Sequence, residues 1–401
     1  MKGKIGDIQI LRAVAIMLVL LQHLTITEAV FHAWKIPLDM SFYLGVDLLF
    51  VVSGYIVTTS MYRDGFNVRS FFVKRVFRLY PALLAFLALS FAVYFLFRHA
   101  PISSTSVTIF QMSKPVFWQA VLAVLTGTYT LEQPPGYSFQ AIWSLSVEFQ
   151  FYGAMAVLCG LLGLFPRLDR RSVFSAVAAL CGLIWLVISL NRFYLLSSGG
   201  FLNFGDTIAY LTNWKFDFLM VGVLVAYLKT KIALPEASIR WVRAALPLVC
   251  LIAPLILVGR SGSPFAPIAE ARLLNGPALF VTGLAFALLV WLASDNRAFQ
   301  IQTGVIHRSL MAIGERSYTL YLVHFPVLAL AWAIIQTYAP WTFSYSALSY
   351  GIAQVAVGAC LIVPITEGIL RLLERPGIQI GHSLVKPPEP RLATAVVGNR
   401  S

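Results

Sequence analysis

Few side chains in this sequence could do acid–base or anion chemistry, and most of them interrupt apolar runs. Arg12 and His23 fall in the first such run, eleven residues apart. At 100° per residue that spacing returns both to one helix face, about 16 Å apart along the axis. Ionisable groups within a membrane are costly and therefore functional by default. An imidazole facing a cavity is a natural general base, because it titrates near neutrality; the same ring can instead hydrogen-bond a neighbouring carbonyl. Asp47 lies in GVDLLFVVSGY (45–55), where it either orients His23 or caps its helix, while Ser53 and Gly54 are small enough for close helix approach.

Arg75 and Arg78 in KRVFRLYP (74–81) are neighbours on one helical face. Paired guanidinium groups suit a phosphate, and equally anchor a cytoplasmic membrane edge. Glu148 in WSLSVEFQFY (143–152) lies roughly 7–8 Å inside its helix and is the best acid/base partner for His23. Trp143 and Tyr152 of the same block also suit an interfacial belt. A second intramembrane histidine, His324, follows Ser317 and Tyr321 in GERSYTLYLVHFP (314–326), about a third of the way in from the cytoplasm. Pro326 frees a carbonyl one turn back, so this ring serves either the site or the helix. Glu374-Arg375-Pro376 reads as a helix terminator or interfacial pair. Cys159, Cys181, Cys250 and Cys360 sit in apolar runs as small hydrophobes. No metal set is expected, because the histidines lack ligand spacing on any one helix.

The elements that must position these groups are membrane helices. Of 401 residues 59% are hydrophobic and 12% charged, half the charge of an ordinary soluble domain, and mean hydropathy is +0.79. Continuous apolar runs exclude an outer-membrane barrel, whose strands alternate. The runs draw as ten helices, near 8–26, 43–62, 79–97, 143–165, 172–190, 206–227, 241–258, 275–293, 316–336 and 345–367. With both termini cytoplasmic, about 22 of the 30 Lys and Arg fall inside. The net charge of +13 is thereby an orientation signal rather than the mark of a nucleic-acid partner. The apolar stretch 117–131 is short for a span, so 98–142 is expected to be an external segment that re-enters the membrane against a lined cavity. Residues 1–376 form the membrane domain, retaining the first span, and 377–401 a disordered cytoplasmic tail. A proton-coupled transporter or flippase is the rival class, although no inverted repeat relates the halves.

Taken in order, Arg12 with His23, GVDLLFVVSGY, KRVFRLYP, WSLSVEFQFY, GERSYTLYLVHFP and ERP (374–376) resemble the membrane-bound acyltransferase family 3. That family includes O-antigen, exopolysaccharide and Nod-factor O-acetyltransferases and macrolide acyltransferases. The resemblance implies a ten-span all-α bundle in a bacterial inner membrane, with no permanently bound cofactor. Acyl-CoA, commonly acetyl-CoA, is the implied co-substrate, and a glycan or small-molecule hydroxyl the implied acceptor. Carried over by position, Arg12 and His23 match the family's Arg–His motif, with His23 the implied catalytic histidine, and Arg75 and Arg78 match its paired arginines, implied to meet the CoA phosphates. Our own reading of the residues adds Asp47 or Glu148 to orient His23, Arg12 beside the two arginines at the CoA, and Trp143, Ser146, Tyr152, Ser317, Tyr321 and His324 as candidate substrate contacts. Leu49 and Tyr55 depart from the aromatic and the Phe usual in the family.

Overall fold

Small residues decide where the helices of this chain touch, and charged or proline residues decide where they bend. The computed structural model describes residues 5–24, 42–97, 114–132, 142–165, 169–198, 215–232, 240–260, 272–296, 298–299, 303–342 and 346–385. Within them the backbone is helical and no strand occurs. The helices are α1 (Gly6–Gln22), α2 (Leu44–Arg63), α3 (Val68–Phe97), α4 (Lys114–Thr126), the single turn α5 (Tyr129–Glu132), α6 (Trp143–Gly163) and α7 (Arg170–Ser198). They continue with α8 (Phe216–Leu228), α9 (Arg240–Arg260), α10 (Arg272–Ser294), α11 (Gly304–Tyr338) and α12 (Ala347–Ile369). A π-turn (Leu370–Glu374) then leads into α13 (Arg375–Val385).

Seven of the described helices are long and apolar enough to cross a bilayer, and three further apolar helices are shorter. Their outer faces carry Leu84, Leu122, Val157, Leu183, Leu248 and Val363 in the open. Water would not tolerate so continuous an apolar belt, whereas hydrocarbon does. The protein is an all-α integral membrane protein.

α1 runs through the middle, packed on α2, α10 and α11. Its side chains Leu11, Ala15, Ile16 and Val19 are buried. Its first turn is tied down by Asp7, whose Oδ2 accepts the Ala298 and Phe299 N–H groups at 2.9 and 3.1 Å. α2 and α8 make the most extensive helix pair, and glycine permits it. A Cβ on Gly54 would strike the Leu219 carbonyl and lie 3.2 Å from the Gly222 Cα; one on Gly222 would strike the Val51 carbonyl. Of the small pair expected to allow close approach, Gly54 does so, while Ser53 faces a cavity.

Several boundaries differ from those read in the sequence. α3 begins at Val68 rather than near 79, because Asn67 Oδ1 accepts the Ser70 N–H at 2.9 Å and starts the helix eleven residues earlier. Arg75 and Arg78, expected on one helical face ahead of the span, therefore lie on the same continuous helix as the span itself. Pro81 does not stop α3: Gly377 of α13 seats against the Phe77 carbonyl that the proline leaves without its usual donor. α11 begins at Gly304, not 316. The expected tail begins later than 377, since α12 continues through the π-turn and α13 packs on α3 with Gly377 and Gly381 buried; residues 386–401 lie outside the description. The 117–131 stretch forms α4 and α5, separated by Gly127 at φ +72°. Residues 206–214 of the sixth expected span, and 98–113 and 133–141 of the external segment, lie outside the described residues.

Candidate functional site

The block WSLSVEFQFY carries two polar stripes at four-residue spacing, and on a helix these face opposite ways. Ser144, Glu148 and Tyr152 line a cavity of about 90 Å³. Ser146 and Gln150 turn to the other side and hold the break in α4–α5. Ser146 Oγ donates to the Gly127 carbonyl at 2.5 Å, and Gln150 Nε2 reaches the same oxygen at 3.0 Å. Ser146 thus clamps that break and does not line the cavity, because it lies two residues, and so about 200°, from the stripe that faces it.

Five helices wall the cavity. Arg12 comes from α1, Ser53 and Phe50 from α2, Arg75 and Arg78 from α3, the Ser144 stripe from α6, and Ser317, Tyr318 and Tyr321 from α11. One end is cationic. Arg12 Nη1 donates to Gln9 at 3.3 Å. The Arg75 guanidinium lies over the Tyr152 and Phe71 rings, 5.4 and 5.6 Å from their centroids. Among the described residues neither Arg75 nor Arg78 joins an ion pair. The one carboxylate lining the cavity, Glu148, accepts the Tyr152 hydroxyl at 3.1 Å, and Ser53 Oγ lies 3.2 Å from that hydroxyl. Three guanidinium groups outnumber the carboxylates near them, Glu148 in the lining and Glu374 behind Arg12, and leave this end positive, with planar N–H donors unused. The other end, toward the start of α2 and α6, is lined by Val46, Phe50 and Leu145. There Ser144 Oγ donates to the Tyr321 hydroxyl at 2.5 Å.

Beyond the apolar end lie the two histidines. His23 caps α1, its Nδ1 2.7 Å from the Val19 carbonyl. His324 Nδ1 is 2.6 Å from the Tyr321 carbonyl. The rings meet at 5.2 Å between centroids, and both pack 4.7 Å from Phe325. His324 is accordingly level with His23, and not a third of the way in, because α11 starts twelve residues before the expected boundary. The Tyr321 ring, 5.6 Å from His324, links the pair to the cavity.

The sequence-derived partners sort differently from expectation. Glu148 is gathered with the arginines and Tyr152, while the neighbours of His23 are Val19, His324 and Phe325. Asp47, fully buried, is held by Lys215 Nζ at 2.8 and 3.0 Å, at the start of α8. Trp143 packs edge-on to Phe50 at 5.8 Å, forming the wall behind the cavity rather than its lining. Tyr152, Ser317 and Tyr321 do line it. Two residues were missed. Glu374 does not end a helix at the interface but is buried, accepting the Thr319 hydroxyl at 2.5 Å, and its charge acts on Arg12. Tyr318 lines the cavity while its hydroxyl donates to the Leu79 carbonyl at 2.9 Å. The i, i+4 polar stripes 144/148/152 and 317/321 were the available signal for the cavity; nothing local marks Glu374.

The structure is thus a bundle of membrane helices with three guanidinium groups around one cavity and a histidine pair beyond it. The family model described as an acyltransferase domain, acyltransferase 3, matches residues 5–366, and the chain belongs to that family. An uncharacterized protein of Haemophilus influenzae is 25% identical over 194 residues, covering 45% of this chain and 73% of its own. The O-acetyltransferase OatA of Staphylococcus aureus is 21% identical over 305 residues, 71% of this chain and 46% of OatA. This chain therefore spans about half the length of that relative. No solved structure matches.

Proposed function

We propose that this protein is a membrane O-acyltransferase that takes an acyl group, acetyl foremost, from cytoplasmic acyl-CoA. The acceptor is a hydroxyl of a cell-surface or exported glycan, with a small-molecule hydroxyl such as that of a macrolide as the second candidate. The observation that carries this reading is the set Arg12, Arg75 and Arg78 around one cavity, with neither α3 arginine committed to a carboxylate among the described residues. Such a set suits the phosphates of CoA. The small apolar end beside Phe50 and Leu145 suits a short acyl chain. Membership of the family and the likeness to an O-acetyltransferase support the same chemistry.

The mechanism follows from the tautomer of His23. With Nδ1–H donated to the Val19 carbonyl, Nε2 keeps its lone pair. Nε2 takes the acceptor hydroxyl proton as that oxygen attacks the thioester carbonyl. The carbon–sulfur bond breaks, and the proton passes from Nε2 to the departing thiolate, giving ester and free CoA. Arg75 and Arg78 stand in the first three turns of α3, at the end of the bundle that also carries Arg63, Arg170 and Lys229. By the positive-inside bias that end is cytoplasmic, with both termini there; a bacterial inner membrane is what the family resemblance implies.

The test is label transfer from radiolabelled acetyl-CoA by the full chain in liposomes, wild type against His23→Ala, with cell-envelope extract as acceptor. His23-dependent loss of label from CoA is expected. Equal turnover by His23→Ala removes His23 from the chemistry, and no turnover by wild type removes acetyl-CoA as donor.

A further inference from the structure

His324 enters the reading above only as a substrate contact, yet it does not line the cavity, and its surroundings suit another task. Its ring is fully buried, and Nε2 has no hydrogen-bond partner among the described residues. A buried polar atom left bare is disfavoured unless something meets it at some stage of the working cycle. Nδ1–H is committed to the Tyr321 carbonyl, so the bare Nε2 is an acceptor lone pair. The neighbouring ring is His23, in the same arrangement: Nδ1 on a helix carbonyl and Nε2 free to accept. Two imidazoles so placed hold one acidic proton between them, because a second would put two positive charges side by side in an apolar site.

Resting on the acyltransferase reading, we propose that His324 is a positioning residue for His23: when the acceptor hydroxyl is deprotonated, the Nε2–H of the His23 imidazolium is shared in a three-centre hydrogen bond, with the reacting oxygen and then the thiolate as one acceptor and His324 Nε2 as the second. The proton stays on His23 until the thiolate takes it, and His324 remains neutral throughout. Phe325, against both rings, keeps them from drifting apart. The other groups facing the pair are few. From α11 there is Tyr321, hydrogen-bonded to Ser144. From α2, Asp47 is neutralised by Lys215. α10 has no titratable residue from 273 to 294. On α12 the titratable groups are Tyr350 and Cys360, with Glu367 held by Arg316. α3 brings Tyr80, Tyr94 and the arginines of the cationic end.

Amide substitutions separate this role from helix packing. His324→Asn can keep the donor to the Tyr321 carbonyl but has nothing at the Nε2 position. His324→Gln can place an amide oxygen there. With protein confirmed as monodisperse after purification, the rate of acetyl transfer is measured against pH at saturating acetyl-CoA. The expectation is a 10- to 100-fold loss of kcat in His324→Asn, with unchanged KM for acetyl-CoA. The acid limb of its profile should also move to lower pH, because the imidazolium has lost its acceptor. His324→Gln should recover at least a tenth of wild-type kcat. A His324→Asn variant with wild-type kcat and profile overturns the proposal, as does equal loss in both variants with an unmoved acid limb. A wild-type protein that turns over no acetyl-CoA refutes the donor reading and this inference with it; wild-type turnover with unaffected variants refutes the inference alone.

Discussion

Replacing Arg75 and Arg78 separately should divide binding from turnover. Both border the cavity, and neither is paired with a carboxylate among the described residues, so each has donors to offer an anion. A hydrogen bond to a charged group contributes about 1.5–3 kcal/mol, and about 1.4 kcal/mol is tenfold in affinity. Arg78→Ala should therefore raise the KM for acetyl-CoA by about 10- to 100-fold and leave kcat nearly unchanged. Arg75 does more, because its guanidinium also lies over the Tyr152 ring whose hydroxyl holds Glu148. Losing that contact, about 0.5–2 kcal/mol, frees the Tyr152–Glu148 pair, so Arg75→Ala should lower kcat as well as raise KM. Arg75→Lys should fall between, since an ammonium keeps the charge but not the plane that stacks. In the double variant Arg12 remains, and the effect should be smaller than the product of the two. The assay is initial rate against acetyl-CoA concentration in liposomes, at two salt concentrations. Folded variants with wild-type KM and wild-type salt dependence would refute an anion role for this cluster.

Three further substitutions test the frame. Gly54→Val should lower the melting temperature in detergent through overpacking of about 1–3 kcal/mol or more, whereas Gly153→Ala, with nothing within 4 Å of the new Cβ, should not; equal effects would contradict the described crossing of α2 and α8. Lys215→Met removes the ammonium that faces the buried Asp47 carboxylate, and breaking a buried pair costs about 3–5 kcal/mol. Adding Asp47→Leu should restore much of the lost stability, and a double variant worse than the single would argue against the pair. Gln150→Leu removes one of two donors to the Gly127 carbonyl, so amide exchange across 114–132 should quicken while α6 stays protected. Unchanged exchange would show that the clamp does not hold that segment.

The lipid-facing architecture was legible because it depends on composition alone: apolar runs of span length and asymmetric Lys and Arg need no tertiary information. The pairing of the arginines was legible as well, since Arg75 and Arg78 share a face by local spacing. What spacing could not say is which face looks inward. Ser144 and Ser146 are chemically identical and two residues apart, yet one borders the cavity and the other holds Gly127. The partnership of Asp47 with Lys215 spans 168 residues of chain, beyond any motif. The start of α3 was hidden by its own charge, because KRVFR depresses hydropathy where Asn67 has already capped the helix. Glu374 was misplaced for a related reason: a glutamate before Arg-Pro reads as an ending, and only the π-turn points it back into the bundle.

The glycine seats carry a consequence for how substrates can reach the cavity. At Gly45, Gly54, Gly222 and Gly314 the central helices α1, α2, α8 and α11 touch backbone to backbone, with no side chain between to act as a bearing. Helices that slide or rock need a second packing into which they can settle, and a carbonyl pressed against a glycine Cα offers none nearby. The middle of this molecule behaves as a fixed vessel. A pump that alternately faces two compartments is hard to build on such a frame, whereas a catalyst that receives one reactant from each side needs only openings in the wall. α6 is unencumbered on its outer side, where Gly153, Gly160 and Gly163 face open space. An opening of the wall beside Glu148 and Tyr152 would give access to the cavity with no rocking of the helices that seat His23.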